Sequence, residues 1–152
     1  MLLPAACSLR ASSQAFTVTE VARFDEPWAL AFLPDRGLLV SEMGGRLKLR
    51  VADGTVGEIG GIPAVDRGGQ GGFRDIVLHP GFADNELLYF SYMEGGENDT
   101  RGAVVARGHL DLSGSGEELR DTEVIWRQVP KVTGEGHFSQ RVAFGLESEI
   151  AV

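Results

Sequence analysis

The stretch Pro27-Trp28-Ala29-Leu30-Ala31-Phe32-Leu33-Pro34-Asp35-Arg36-Gly37-Leu38-Leu39-Val40 places an apolar run, a turn made of Pro, Asp and Gly, and a second apolar run in succession. Short apolar runs bounded by turn formers read as two strands of a hairpin. The same grammar returns at Phe73-Arg74-Asp75-Ile76-Val77-Leu78-His79-Pro80-Gly81-Phe82-Ala83-Asp84-Asn85-Glu86-Leu87-Leu88-Tyr89-Phe90, and in degraded form at Arg141-Val142-Ala143-Phe144-Gly145-Leu146-Glu147-Ser148-Glu149-Ile150-Ala151-Val152. Pro34, Pro80 and Leu146 then occupy equivalent positions. The first interval matches a repeat of roughly 40–50 residues, and the second is longer. Repeats of that length with several strands each are the mark of a β-propeller, whose blades are four-stranded antiparallel sheets around a channel. The chain is expected to be all-β, with about two blades and the start of a third.

A propeller closes with roughly 4–8 blades. Two and a fraction leave sheet edges and inter-blade faces uncovered, an invitation to self-association. The chain is therefore expected to be a piece of a longer protein. Glu149-Ile150-Ala151-Val152 agrees, as it stops inside an apolar run with no turn after it.

Composition narrows the function classes. The 152 residues suffice for one domain with a real core, and 21 glycines suit many turns while working against long helices. A formal net charge of −8 argues against nucleic acid and anionic membrane surfaces as partners. The sequence has no apolar run of about 18 residues that would span a bilayer. Cys7 is the single cysteine, so neither an internal disulfide nor a Cys-based metal site can form. Leu3-Pro4-Ala5-Ala6-Cys7 resembles the end of a bacterial lipoprotein signal, which would make Cys7 a lipid anchor. The charged and apolar regions that should precede it are missing. Residues 1–15 thus read either as an export remnant or as a disordered N-terminus, and the folded part as residues 16–152.

Along the chain, strands are expected at 16–22, 28–32, 37–41, 46–51 and 56–59, then at 76–78, 87–92, 103–110 and 123–126. Glu94-Gly95-Gly96-Glu97-Asn98-Asp99-Thr100 and residues 111–120 read as surface loops.

Two glycine-rich segments interrupt this pattern in a way that packing does not require. Gly68-Gly69-Gln70-Gly71-Gly72 precedes one inner-strand pattern, and Gly134-Glu135-Gly136-His137 precedes the next. The inner strands of successive blades start near the same end of the channel, so Gln70 and His137 are expected to face one mouth. The Gln70 amide suits hydrogen bonding to a carbonyl or sugar hydroxyl, and His137 suits proton abstraction near neutral pH. By pattern alone, a solvated Gln70 and a structural His137 remain equally compatible. His79, at a turn before Pro80, and His109, on one strand face with Arg107, read as structural or solvated. Asp99 and Asp111 lack metal-ligand spacing, and no HExxH, paired Cys or EF-hand series occurs, so no metal ligand is nominated. The glycine loop lacks the Lys-Ser/Thr and following helix of a phosphate cradle, and no serine sits in a nucleophile elbow.

Taken together, 27–35, 68–76, 79–83, 124–130 and 137–144 resemble, in order and spacing over residues 18–145, the N-terminal part of the glucose/sorbosone dehydrogenase family. The resemblance implies an exported, periplasmic or extracellular six-bladed propeller that binds pyrroloquinoline quinone (PQQ) and calcium at one mouth and oxidises aldose sugars. It implies that His137 takes the proton of the anomeric hydroxyl as hydride passes to the quinone, that Gln70 lies near quinone and sugar, and that Arg141 supports the same site. After the histidine the family usually has Gly-Gly-Arg, whereas this chain has Ser139-Gln140-Arg141, and the following Pro-Asp/Glu-Gly turn is Leu146-Glu147-Ser148. The family's calcium ligands and the basic residues for the cofactor carboxylates belong to later blades, so little activity is expected of this chain alone. The competing readings are a non-catalytic propeller module that binds carbohydrate or protein at the same mouth and, less supported by ligand types, a metal-dependent propeller hydrolase of the lactonase type.

Overall fold

The computed structural model describes residues 16–35, 37–113, 116–136, 138, 140–145 and 149–151. Strands β1 (Pro27–Phe32), β2 (Leu38–Glu42), β3 (Arg46–Arg50) and β4 (Val56–Ile59) form one antiparallel meander. A second meander follows with β5 (Phe73–Leu78), β6 (Leu87–Gly95), β7 (Thr100–Asp111) and β8 (Glu118–Arg127), and β9 (Val132–Thr133) pairs with β7. A short antiparallel pair, β10 (Ala143–Phe144) with β11 (Ile150–Ala151), begins a third unit. The all-β reading and the count of two blades and a beginning both hold.

The blades form where alternation gives a strand one apolar face. In β3, Leu47 and Leu49 are buried between the half-buried Arg46, Lys48 and Arg50. Leu39, Leu47, Phe73, Leu88, Phe90 and Val104 make the core between the first two sheets, with Phe73 set edge-on to Phe90 at 5.8 Å. A smaller cluster of Tyr89, Val105 and Val142, flanked by Phe144 and Ile150, joins the second sheet to the third.

One polar device recurs at each junction. In blade 1 the β1–β2 register slips between Pro27 and Ala29, and the Ala29 N–H donates to Ser41 Oγ at 3.0 Å. That hydroxyl donates in turn to the Arg74 carbonyl of the next inner strand at 2.6 Å. In blade 2 the β5–β6 register slips between Phe73 and Ile76, the Asp75 N–H donates to Ser91 Oγ at 3.1 Å, and Ser91 donates to the Gln140 carbonyl at 2.6 Å. Both serines are fully buried. A bulge frees a backbone donor, and a hydroxyl, being both acceptor and donor, satisfies it while reaching the next blade. Trp28, Arg74 and Gln140 are thereby equivalent, in the same relation to Pro34, Pro80 and Leu146 that the repeated turns suggest. Asp75 adds a second tie across the later junction, accepting from the Val142 N–H at 2.8 Å and from Arg141 Nη1 at 3.2 Å.

Three expectations require correction. Residues 16–22 form no strand: β-branched residues favour a ladder only where a partner strand exists, and none pairs with them among the described residues. The segment 111–120 is a shorter excursion, because β8 resumes at Glu118, where the Leu119 N–H donates to the Gly60 carbonyl at the end of blade 1. The turn after His79 contains a single helical turn, α1 (Phe82–Asn85).

Truncating Phe90 to alanine is expected to cost about 3–5 kcal/mol, as for other fully buried phenylalanines, measured by urea unfolding. Ser41→Ala and Ser91→Ala should each cost about 1–3 kcal/mol by orphaning a buried N–H and a buried carbonyl. Amide exchange should separate the two, with Ser91→Ala loosening residues 140–151 and Ser41→Ala the contact between β1 and β5. Equal loosening of both junctions by either change would contradict this assignment.

Candidate functional site

The first strands of the successive units lie side by side, and the equivalent positions they carry face a common cavity of about 210 Å³. Its lining is Trp28, Arg74, Asp75, Phe138, Gln140 and Arg141. The Arg74 guanidinium is buried 4.0 Å over the Trp28 ring, a cation–π contact with a half-exposed indole. Burial pushes the Arg74 pKa below its ordinary value, yet a guanidinium stays charged at any physiological pH. Among the described residues Arg74 Nε has no hydrogen-bond partner, and neither has the buried Gln140 Oε1. Asp75 is buried and satisfied by Val142 and by Arg141, whose own side chain is 82% exposed. Two guanidiniums, one carboxylate, an indole and a phenyl ring thus meet at the inner strands of a strongly acidic chain. Such a set suits a planar anionic or polyhydroxylated ligand.

Gln70 is exposed at the tip of its loop, just ahead of β5. His137 lies outside the described residues, as does Cys7. The segments on both sides of His137 are described. On the leading side, the glycine loop packs directly on the Gly134-Glu135-Gly136 segment: a Cβ at Gly69, which has φ +59°, would stand 2.5 Å from the Glu135 Cα. On the trailing side, Ser91 and Asp75 hold Gln140 and Val142. The two glycine-rich loops are therefore in contact, and Arg141 is on the cavity wall beside Asp75.

This contact corrects one premise of the sequence reading, that packing does not require these glycines. Gly69 is needed for the loop-to-loop approach, and Gly72, at φ +106°, for passage within reach of the Met43 carbonyl, 2.6 Å from a Cβ placed there. The glycines serve the loop's packing, and Gln70 is what they present. His79 is structural as expected: its Nδ1 is 2.9 Å from the Gly81 N–H and 2.8 Å from Asn85 Nδ2, and its ring packs near Tyr89 and Phe144. His109 is exposed on β7, paired in register with Arg120. Sequence reasoning missed Trp28, Arg74, Asp75 and Gln140. Their common offset from the repeated turns was the signal that could have grouped them. Among the described residues no group of three or more His, Cys, Asp or Glu side chains is placed to hold a metal, and no helix is long and apolar enough to cross a membrane.

Comparison with known proteins agrees with this geometry. The family model for glucose/sorbosone dehydrogenase matches residues 24–152. Aldose sugar dehydrogenase YliI of Escherichia coli K12 is 39% identical over 126 residues, covering 80% of this chain and 33% of the relative. A solved glucose dehydrogenase superposes with a TM-score of 0.78 at 37% identity, over 83% of this chain and 37% of the other. The apo form of the soluble E. coli aldose sugar dehydrogenase gives 0.73 at 37% identity, over 79% and 35%. The PQQ-bound aldose sugar dehydrogenase of Streptomyces coelicolor gives 0.68 at 29% identity, over 84% and 37%. The chain spans about a third of the length of these relatives. With the family model matching most of its residues, the chain belongs to the glucose/sorbosone dehydrogenase family, of which it spans a fragment.

Proposed function

We propose that this chain is the N-terminal portion of a PQQ-dependent aldose dehydrogenase, exported to the periplasm, and that it supplies one wall of the sugar and cofactor site. The observation that carries this reading is the packing of the Gln70 loop on the segment leading to His137, at the inner strands whose side chains line the cavity. In this reading two residue types suited to opposite ends of one hydroxyl oxidation serve the same site: an amide that can hold a sugar hydroxyl and an imidazole that can take its proton.

PQQ, when bound, supplies the two-electron acceptor. A planar tricarboxylate fits the donor set of the cavity in kind, through the Arg74 and Arg141 guanidiniums and the Trp28 and Phe138 rings. Asp75 neutralises part of that positive charge, so further cations from outside the described residues complete the neutralisation. Calcium is assigned to residues outside the described set as well. In this reading Gln70 orients the sugar by hydrogen bonds to its hydroxyls. His137 accepts the anomeric proton, and the aromatic pair excludes water from one side of the site. The chain alone is expected to oxidise aldoses weakly or not at all, since one wall cannot fix a ligand that the missing walls also hold.

The test is titration of the purified chain with PQQ and calcium, following aldose oxidation with an artificial acceptor and quinone binding by absorbance. The same titration is run on His137→Ala and Gln70→Ala in a protein that carries the later blades. There His137→Ala should lower kcat by about 10²–10⁴-fold, and Gln70→Ala should act mainly on KM. Full activity in His137→Ala would remove the assignment of the base. Unchanged sugar dependence in Gln70→Ala would remove that of the binding residue.

A further inference from the structure

We propose that Arg101 is a positioning residue that clamps the two glycine-rich loops together, and so sets the spacing of the Gln70 loop and the 134–136 segment without touching sugar or cofactor. The inference rests on the reading of those loops as the working edge of the site.

Arg101 is buried near the start of β7 and spreads its guanidinium over three acceptors. Nη1 donates to the Gly134 carbonyl at 2.5 Å, Nε to Asp66 Oδ2 at 3.3 Å and Nη2 to Asp99 Oδ1 at 2.8 Å. Asp66 is the foot of the Gln70 loop. Its Oδ1 accepts from the Gly68 N–H at 2.7 Å and its carbonyl accepts from the Gly72 N–H at 2.8 Å, so one residue ties both ends of the five-residue turn. Gly134 is the foot of the other loop, directly after β9, whose Val132 pairs with Arg101 itself. One planar fork therefore joins the base of each loop. Only an arginine can do this, because a lysine ammonium is a point charge on a flexible stem and cannot present donors in two fixed directions. The Gly69–Glu135 approach then follows from the clamp, since the loop bases are fixed on one rigid plane and the loop bodies close upon each other.

Amide exchange of the purified chain tests this directly, in Arg101→Met and Arg101→Lys, with β6 and the second half of β7 as internal controls. Arg101→Met should speed exchange at 68–72 and 134–136 together, by about tenfold or more. Arg101→Lys should rescue one loop and not the other. Asp66→Asn, which keeps an acceptor for Gly68 and removes the ion pair, provides a milder variant should Arg101→Met fail to fold, and should also loosen both loops. Loosening of one loop alone, loss of protection in β6 and β7 in equal proportion, or full rescue by lysine would each overturn the proposal. None of these readouts needs sugar oxidation, so loss of the dehydrogenase reading through the PQQ assay and loss of the clamp are separate results.

Discussion

The structure depends on what happens to one freed N–H in each inner strand. A bulge near the start of β1 and of β5 turns a backbone donor out of its ladder, and an unpaired donor in a dry core is costly. Ser41 and Ser91 accept those bonds and donate their own O–H to a carbonyl in the following blade. Adjacent blades are thereby locked in register by two-bond relays inside the core, where hydrogen bonds strengthen one another and water does not compete. Apolar packing at the same junctions supplies more free energy but little register, since Leu and Phe side chains tolerate sliding better than a 2.6 Å hydroxyl contact does.

Register in turn decides where charge can accumulate. Because Trp28, Arg74 and Gln140 are equivalent through the relay, the residues beside them, Asp75 and Arg141, also meet, and a cavity with two guanidiniums appears in a chain of net charge −8. The burial of Arg74 is offset on one side by the Trp28 face and left open at Nε. Asp75 is fully committed, with its backbone N–H on Ser91 and its carboxylate on Val142 and Arg141. The acid is structural, and the guanidiniums retain capacity for further acceptors.

Much of the fold was legible because turn chemistry is local. The Pro-Asp-Gly and His-Pro-Gly turns announce themselves, and the spacing between them carried the blade count. The inner-strand offset implied by Pro34, Pro80 and Leu146 is the one the serine relays impose. Residues 16–22 misled, as β propensity reports fitness for a ladder and cannot report the absence of a partner strand. The glycines misled in another way: positive φ at Gly69 and Gly72 was foreseeable, but that Glu135 and Met43 would be what they approach depends on segments far away in sequence. Arg101, Asp66 and Gln140 were invisible for the same reason. A polar side chain earns its place in a core through partners the linear sequence does not juxtapose.

The departure from family character around Gln140 is where these two levels can be reconciled. The resemblance implies Gly-Gly-Arg where this chain has Ser139-Gln140-Arg141, so that a long amide stands on the wall of the cavity. The relay uses only the carbonyl of residue 140, so Ser91 is indifferent to the substitution. The amide itself turns inward, with Nε2 near the Tyr92 carbonyl at 3.4 Å and Met93 Sδ at 2.7 Å, and is buried against β6. Arg141 keeps its place because Asp75 holds both its guanidinium and the next N–H. The Gln140 side chain thus lines the cavity while its segment is held through its own backbone, the 140 carbonyl by Ser91 of β6 and the 142 N–H by Asp75 of β5.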